Sequence, residues 1–300
     1  MALAAALPCP AAHADEPLFG FVYTTDLLPK GGKEIEQWAS WRHAKNGGSY
    51  DQLEGRTEFE YGVSDQLQAA LYANYNWTRA FHNGPFGATT PPEQFSDFSP
   101  GPDDMFNASR FVGVSGELIY RALSPYTDSI GLALYLEPFA GANFRELETR
   151  VILQKNFLDD LLVLAFNFTY APEFRYLSDP VNGGSSWQEE TDLNFAFGLS
   201  YRFIENWSAG FEFVNEREFN SLLFTAINHE SNSGYFIGPN LHYGGERFFV
   251  TMTALWQLPW ASAHMDTVPG ALINGYIGDN DFERFRLRLK AGYTFGGAAP

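Results

Sequence analysis

Three things are scarce in this chain of 300 residues: cysteine, positive charge and long uncharged apolar runs. Cys9 is its one cysteine, so no disulfide framework or paired redox motif can form. Lys and Arg total 19 against 36 Asp and Glu, a formal charge of −17, which argues against nucleic acid as a partner. The longest stretch without a charged residue, Phe248 to Met265, carries Thr251, Thr253, Gln257, Pro259, Ser262 and His264. It is too polar for a spanning helix. There is no Gly-rich phosphate loop and no G-x-S-x-G. The six His show no zinc spacing, and Asp279-Asn280-Asp281 is not a complete calcium loop. No metal or cofactor is expected, and none of these motifs marks an enzyme.

What is abundant is aromatic. Rings make up 17% of the residues, with 28 Phe and 15 Tyr beside only 18% charged residues. Such an excess suits two interfacial girdles better than a compact core. The segment Phe282 to Phe295 shows how the rings are deployed. Phe285, Leu287, Leu289, Ala291, Tyr293 and Phe295 fall on one side, and Arg284, Arg286, Arg288 and Lys290 on the other. A period of two is a β-strand. Lipid on the apolar face, rings at the interface and charges toward an aqueous lumen give this pattern its cause. Slipping by one residue would put Arg286 and Arg288 into lipid, at about 4–8 kcal/mol for the two near the midplane.

The chain is therefore expected to be all-β: a transmembrane antiparallel β-barrel of twelve strands, with short periplasmic turns and long extracellular loops. Strand-like runs cover 33–45, 49–63, 66–80, 109–123, 131–139, 146–157, 161–176, 190–203, 207–219, 231–243, 247–258 and 282–295. Pro138 weakens the fifth. The connection 81–108 is too long to be structureless in a compact domain and is expected outside, where it can fold inward as a constriction. The acid groups Glu93, Asp97, Asp103 and Asp104, then Asp179, Glu189 and Glu190, then Asp266, Asp279 and Asp281, read as solvated loop charge, with the holding of divalent cations at a lipopolysaccharide surface as the other reading.

Residues 1–14 read as the end of a secretory signal, since Ala2 to Ala12 is small and apolar and Ala12-His13-Ala14 fits an A-x-A cleavage site. Cleavage there would remove Cys9. No basic residue follows Met1, so the true start is expected upstream. Residues 15–32 form a pre-barrel segment. Its strand-like part, Leu18 to Asp26, fits either inside the lumen or across the periplasmic mouth. The barrel takes 33–295, and 296–300 is a tail. An even strand count puts both barrel ends in the periplasm of a bacterial outer membrane.

The inward positions of the alternation name the pore-lining candidates: Glu36, Arg56, Glu58, Glu60, Arg202, Glu212, Arg284, Arg286, Arg288 and Lys290. Closure sets the last strand beside the first, so the basic row is expected to face Glu34 and Glu36. Either a cross-strand charge ladder stiffens the wall, or the row is an anion track. The expected partners are outer-membrane lipid, lipopolysaccharide and small solutes passing passively.

Three resemblances add to this. The last strand resembles the C-terminal targeting strand of bacterial outer-membrane proteins, which implies that Phe285–Phe295 is read by the barrel assembly machinery, although Gly-Gly-Ala-Ala-Pro follows Phe295 here. The stretches L-F-G-F-V-Y-T-T-D-L-L-P-K-G-G-K-E-I-E-Q-W at 18–38 and G-P-N-L-H-Y at 238–243 resemble an uncharacterised group of Gram-negative outer-membrane barrels. That group is loosely similar to the porin-like transporters of meta-pathway phenol degradation, which implies an outer-membrane address and a transport role. Asn228-His229-Glu230-Ser231-Asn232 resembles the His-x-Ser core of outer-membrane phospholipase A and lipid A deacylase. It implies Ser231 as nucleophile and His229 as its base, with a plain loop-to-strand transition as the other reading. A structural or surface-binding barrel with a plugged lumen is the remaining alternative.

Overall fold

Twelve antiparallel strands close on themselves in the computed structural model, which describes residues 17–45, 47–84, 87–178, 184–222, 230–261, 272–277 and 282–295. The signal-like residues 1–14 and the tail 296–300 lie outside the described residues. The meander runs through β1 (Lys33–His43), β2 (Ser49–Ser64), β3 (Leu67–Phe81), β4 (Phe106–Leu123), β5 (Gly131–Gly141) and β6 (Phe144–Phe157). It continues through β7 (Leu162–Ser178), β8 (Ser185–Ile204), β9 (Trp207–Phe219), β10 (Glu230–Gly244) and β11 (Phe248–Gln257). A two-residue hairpin, β12 (Leu272–Ile273) with β13 (Tyr276–Ile277), precedes β14 (Phe285–Phe295). β14 closes the barrel against β1, from Lys33 opposite Phe295 to His43 opposite Phe285.

Every second connection is short, such as that from Ser64 to Leu67 or from Ile204 to Trp207, apart from the seven residues between Leu123 and Gly131. The alternate connections are mostly longer, apart from the two residues between Gly141 and Phe144. The first set shares one rim with the free ends of β1 and β14, the short-turn end; the other connections make the long-loop end. The outer wall follows the alternation. Leu71, Leu134, Val114, Leu289 and Met252 are exposed along its middle, Leu71 to 69%. Rings gather at both rims. Trp41, Trp256 and Phe285 touch at the long-loop rim, with ring centroids 5.8 and 5.1 Å from Phe285. Trp207 and Tyr243 lie 5.1 Å apart at the short-turn rim. Ten residues separate Phe285 from Phe295, roughly 34 Å along a strand or about 26 Å across it at a tilt of about 40°, the height of a hydrocarbon band.

Two sequence features that look unfavourable have local solutions. Pro138 lies inside β5, but the β4–β5 ladder skips from Ser115–Phe139 to Leu118–Leu136, so the missing N–H falls in that gap. Gln37 and Thr57 point outward from β1 and β2 and satisfy each other: Thr57 Oγ1 donates to Gln37 Oε1 at 2.6 Å, and Gln37 Nε2 donates to the Tyr75 hydroxyl at 2.6 Å. The Tyr75 ring lies flat on Gly55, where a Cβ would sit 1.9 Å from a ring carbon. β8 starts at Ser185 and pairs with β7 down to Ser178. Glu189 and Glu190 are therefore strand residues, which corrects their reading as loop charge.

Candidate functional site

The lumen holds part of the chain itself. Residues 18–28 follow the inner wall on the short-turn side, from β10 round to β3. A segment outside the strand ladders carries backbone donors that need acceptors once out of water. The wall supplies them through side chains. The Glu212 carboxylate on β9 accepts the amides of Gly20, Phe21 and Val22 at 2.7, 2.7 and 3.1 Å. Asn167 of β7 accepts from Tyr23 N at 2.7 Å and donates back to Tyr23 O at 2.9 Å. Gln154 of β6 accepts from Thr25 N and Gln68 of β3 from Leu28 N, at 2.7 and 2.8 Å. Asn240 of β10 donates to Leu18 O at 2.6 Å. Phe19 and Val22 bury themselves among Val163, Ala165, Ala196 and Val214; Gly198 leaves room for the Phe19 ring, since a Cβ there would meet it at 2.7 Å. Tyr23 bridges the lumen: its ring meets Tyr135 at 5.2 Å and Arg150 at 4.4 Å on one side and Lys290 of β14 at 5.4 Å on the other.

The long-loop half is filled differently. The β3–β4 connection turns inward through a 3-10 turn, Glu93–Phe95. Phe95 is fully buried against Tyr50, Ala80 and Phe106. Arg110 grips Asp97 with two hydrogen bonds of 2.8 and 3.0 Å and so holds its carboxyl below the ordinary range. Glu93 pairs with Arg175 of β7 at 2.7 Å. Arg175 also pairs with Glu173, and with Glu190 at 3.0 Å. Glu93 and Glu190 are thus half-buried ion-pair partners rather than solvated loop charge. Between this loop and the docked segment lies a cavity of about 310 Å³, with Phe21 and Tyr23 on one side and Glu93 and Gln94 on the other.

The ten pore-lining candidates fall in several places. Arg56 and Arg288 line the central cavity. Arg56 pairs with Glu137 at 3.1 Å and stacks on Trp38 and Tyr72. Glu36, Glu58, Glu60 and Lys290 line a smaller cavity of about 40 Å³ beside the segment. Glu212 anchors the segment. Arg286 is 1% exposed, paired at 2.5 Å with Glu216 of β9 and also with Glu283, and stacked 3.8 Å above the Phe236 ring. Arg284 lies over Tyr276 at 4.5 Å near the long-loop mouth. Arg202 is half-buried near the short-turn rim, where its amide donates to Leu161 O. The barrel closure corrects one expectation. Thr294 and Gly292 stand opposite Glu34 and Glu36, and Arg42 opposite Arg286; of the basic row, Lys290 reaches Glu36, at 3.6 Å.

Glu34 and Glu60 are directly opposed, as are Glu36 and Glu58, an arrangement that destabilises a sheet unless the charge is answered. Thr294 donates to Glu34 at 2.7 Å and Gln68 to Glu60 at 2.6 Å. Carboxylate oxygens of Glu34, Glu36 and Glu60, and of Glu173, Glu190 and Asp192, lie within 4.8 Å of one another. Lys290 and Arg175 already bring a cation to these groups.

His229 lies outside the described residues. The Ser231 hydroxyl donates to Glu218 O at 3.2 Å. A bulge between Glu230 and Asn232 breaks the alternation on which a shared face for residues 229 and 231 depended.

Sequence reasoning missed Trp38, Asn167, Gln154, Arg175, Glu283 and Asp192. Trp38 carried a signal: it is the one ring on the inward side of β1, and Arg56, Arg288 and Lys290 all lie within 5.0 Å of its centre. Gln154 and Asn167 carried the weaker signal of an amide on an inward position.

Comparison with known proteins bears on the fold. A family model described as a family of unknown function, DUF6662, matches residues 11–295. The COG4313 outer membrane channel from Pseudomonas putida F1 is 11% identical, with a TM-score of 0.56 over 90% of this chain and 98% of that one. The translocator domain of the autotransporter NalP from Neisseria meningitidis is 10% identical, with a TM-score of 0.50 over 90% of this chain and 91% of that one. At these identities the likeness is one of fold. No curated protein matches the chain.

Proposed function

The chain belongs to this family of unknown function, and we propose that it is a channel of the bacterial outer membrane through which small solutes pass, narrowed by its own N-terminal segment. In this reading both ends of the barrel face the periplasm, the signal-like residues are removed after Ala14, and β14 is the strand read by the barrel assembly machinery. Lipid and lipopolysaccharide surround the apolar wall, which carries ring girdles at both rims. Likeness of fold to a channel protein supports the reading.

One observation carries it: wall side chains alone do not fill the lumen. A polar cavity of about 310 Å³ remains beside a segment docked mainly through hydrogen bonds to side chains. A barrel whose interior had a purely structural role would be expected to close this space with side chains.

The test is single-channel recording in planar bilayers on the mature chain and on a variant lacking residues 17–28. A small conductance in the first and a several-fold larger one in the second is the expected result. The same silence from both would leave a structural barrel.

A further inference from the structure

The charges left over in the central cavity are sorted by wall. In barrel order β6, β7 and β8 stand diametrically across from β14, β1 and β2. On the first wall Arg150 answers Glu148, which leaves Glu146, Glu173 and Asp192 facing the cavity. Glu173 shares Arg175 with two other carboxylates. Glu146 and Asp192 have no ion-pair or hydrogen-bond partner among the described residues, and Asp192 Oδ1 is a buried acceptor without a donor. Glu146 is also directly opposed to Glu173, and Glu173 to Glu190. Such like-charge pairs weaken a sheet until something cationic approaches.

On the facing wall the surplus is positive. Arg42, Arg56 and Arg288 share that side of the cavity with Glu54. Arg288 has no carboxylate within ion-pair distance among the described residues. Its Nε donates to Ser40 Oγ at 2.6 Å and its Nη1 to Gly20 O at 3.1 Å. Its guanidinium is held between the rings of Phe21 and Trp38, 4.0 and 4.3 Å from their centres. The rings fix the group without neutralising it, and Nη2 makes no hydrogen bond among the described residues.

We propose that this cavity binds small zwitterions whose two charges sit at opposite ends of a short chain. The ammonium lies toward Glu146 and Asp192, the carboxylate toward Arg288. Inside a poorly hydrated lumen a lone cation is repelled by one wall and a lone anion by the other, and each leaves one wall unanswered. This deepens the channel reading and rests on it for the route by which solute arrives.

The probes are 6-aminohexanoate, hexanoate and hexylamine, which share a chain length and differ in their ends. Binding is measured by calorimetry on the folded barrel in detergent, and potassium chloride conductance is recorded on the same preparation. The zwitterion is expected to bind at least about tenfold more tightly than either mono-ion. The double change Glu146→Gln with Asp192→Asn should abolish its advantage over hexanoate, and Arg288→Gln its advantage over hexylamine. Arg288→Lys, which keeps the charge should the Gln variant misfold, should retain most of it. Equal binding of the three probes by the wild type, no binding of the zwitterion, or an advantage untouched in the charge-removing variants overturns the inference. Silence in the bilayer with zwitterion preference intact would instead count against the channel alone.

Discussion

The two halves of the lumen are filled by different chemistry. Toward the short turns, a length of backbone is held by Asn167, Gln154, Gln68 and one carboxylate, Glu212. Toward the long loops, the inner wall is held by ion pairs around Arg175, Arg110 and the Arg286–Glu283–Arg42 group. A neutral side-chain amide satisfies a backbone group at little desolvation cost, so Asn167, Gln154 and Gln68 can take in and release the segment without stranding charge. Glu212 is the one holder whose charge loses donors on release. Removing one partner of a buried ion pair leaves the other charge unanswered. The long-loop half should therefore be stiff and acid-sensitive, and the segment in the short-turn half separable from the barrel.

The contrast fails most visibly at Arg175. Arg175→Met leaves Glu93, Glu173 and Glu190 without their shared cation and should cost about 3–5 kcal/mol, read as a fall in the urea midpoint in lipid vesicles. Acid comes next. Burial alone would raise the Glu283 carboxyl, but Arg286, Arg42 and Lys45 outweigh it and hold it at about 2. A depressed carboxyl stabilises fully above its unfolded value and ceases to do so as pH falls through the folded one. The loss therefore runs from about pH 4.5 down to about 2 and reaches about 3 kcal/mol. Glu283→Gln should flatten acid unfolding in that window.

In the other half, Glu212→Ala leaves the amides of Phe21 and Val22 without an acceptor and that of Gly20 with Thr253 Oγ1 alone, at 3.2 Å. It should cost about 2–3 kcal/mol of docking, seen as a higher single-channel conductance with the barrel's urea midpoint unchanged. Gln68→Leu removes one contact to the segment, about 1 kcal/mol of docking, together with the donor to Glu60 on the wall, and should raise conductance least. A large fall in barrel stability with Glu212→Ala would erase the distinction between the halves.

The wall was legible because both its faces are specified. Leu193, Phe195, Phe197, Leu199 and Tyr201 alternate with Asn194, Ala196, Gly198, Ser200 and Arg202 in a way only a two-faced strand explains. The start of β8 was not, because Ser185-Ser186-Trp187-Gln188 carries no apolar alternation and extends through its pairing with β7. The lumen was half legible. Its charged positions follow from register, but who pairs with whom is set by depth and by strands that meet only on closure. Arg286 finds Glu216, 70 residues away, in place of its neighbours on β1. Leu18 to Asp26 looks like a strand but bends at Gly20–Phe21 and at Thr25, and its partners across the lumen are side chains 96 to 268 residues distant, a relation that no local pattern encodes.

Amide hydrogen exchange within residues 17–28 tests most directly whether the segment is held in the lumen by Glu212. Gly20, Phe21 and Val22 should be strongly protected in the wild type and exchange rapidly in Glu212→Ala, while β9 stays protected in both. Rapid exchange in the wild type, or protection that survives loss of the carboxylate, would contradict that account.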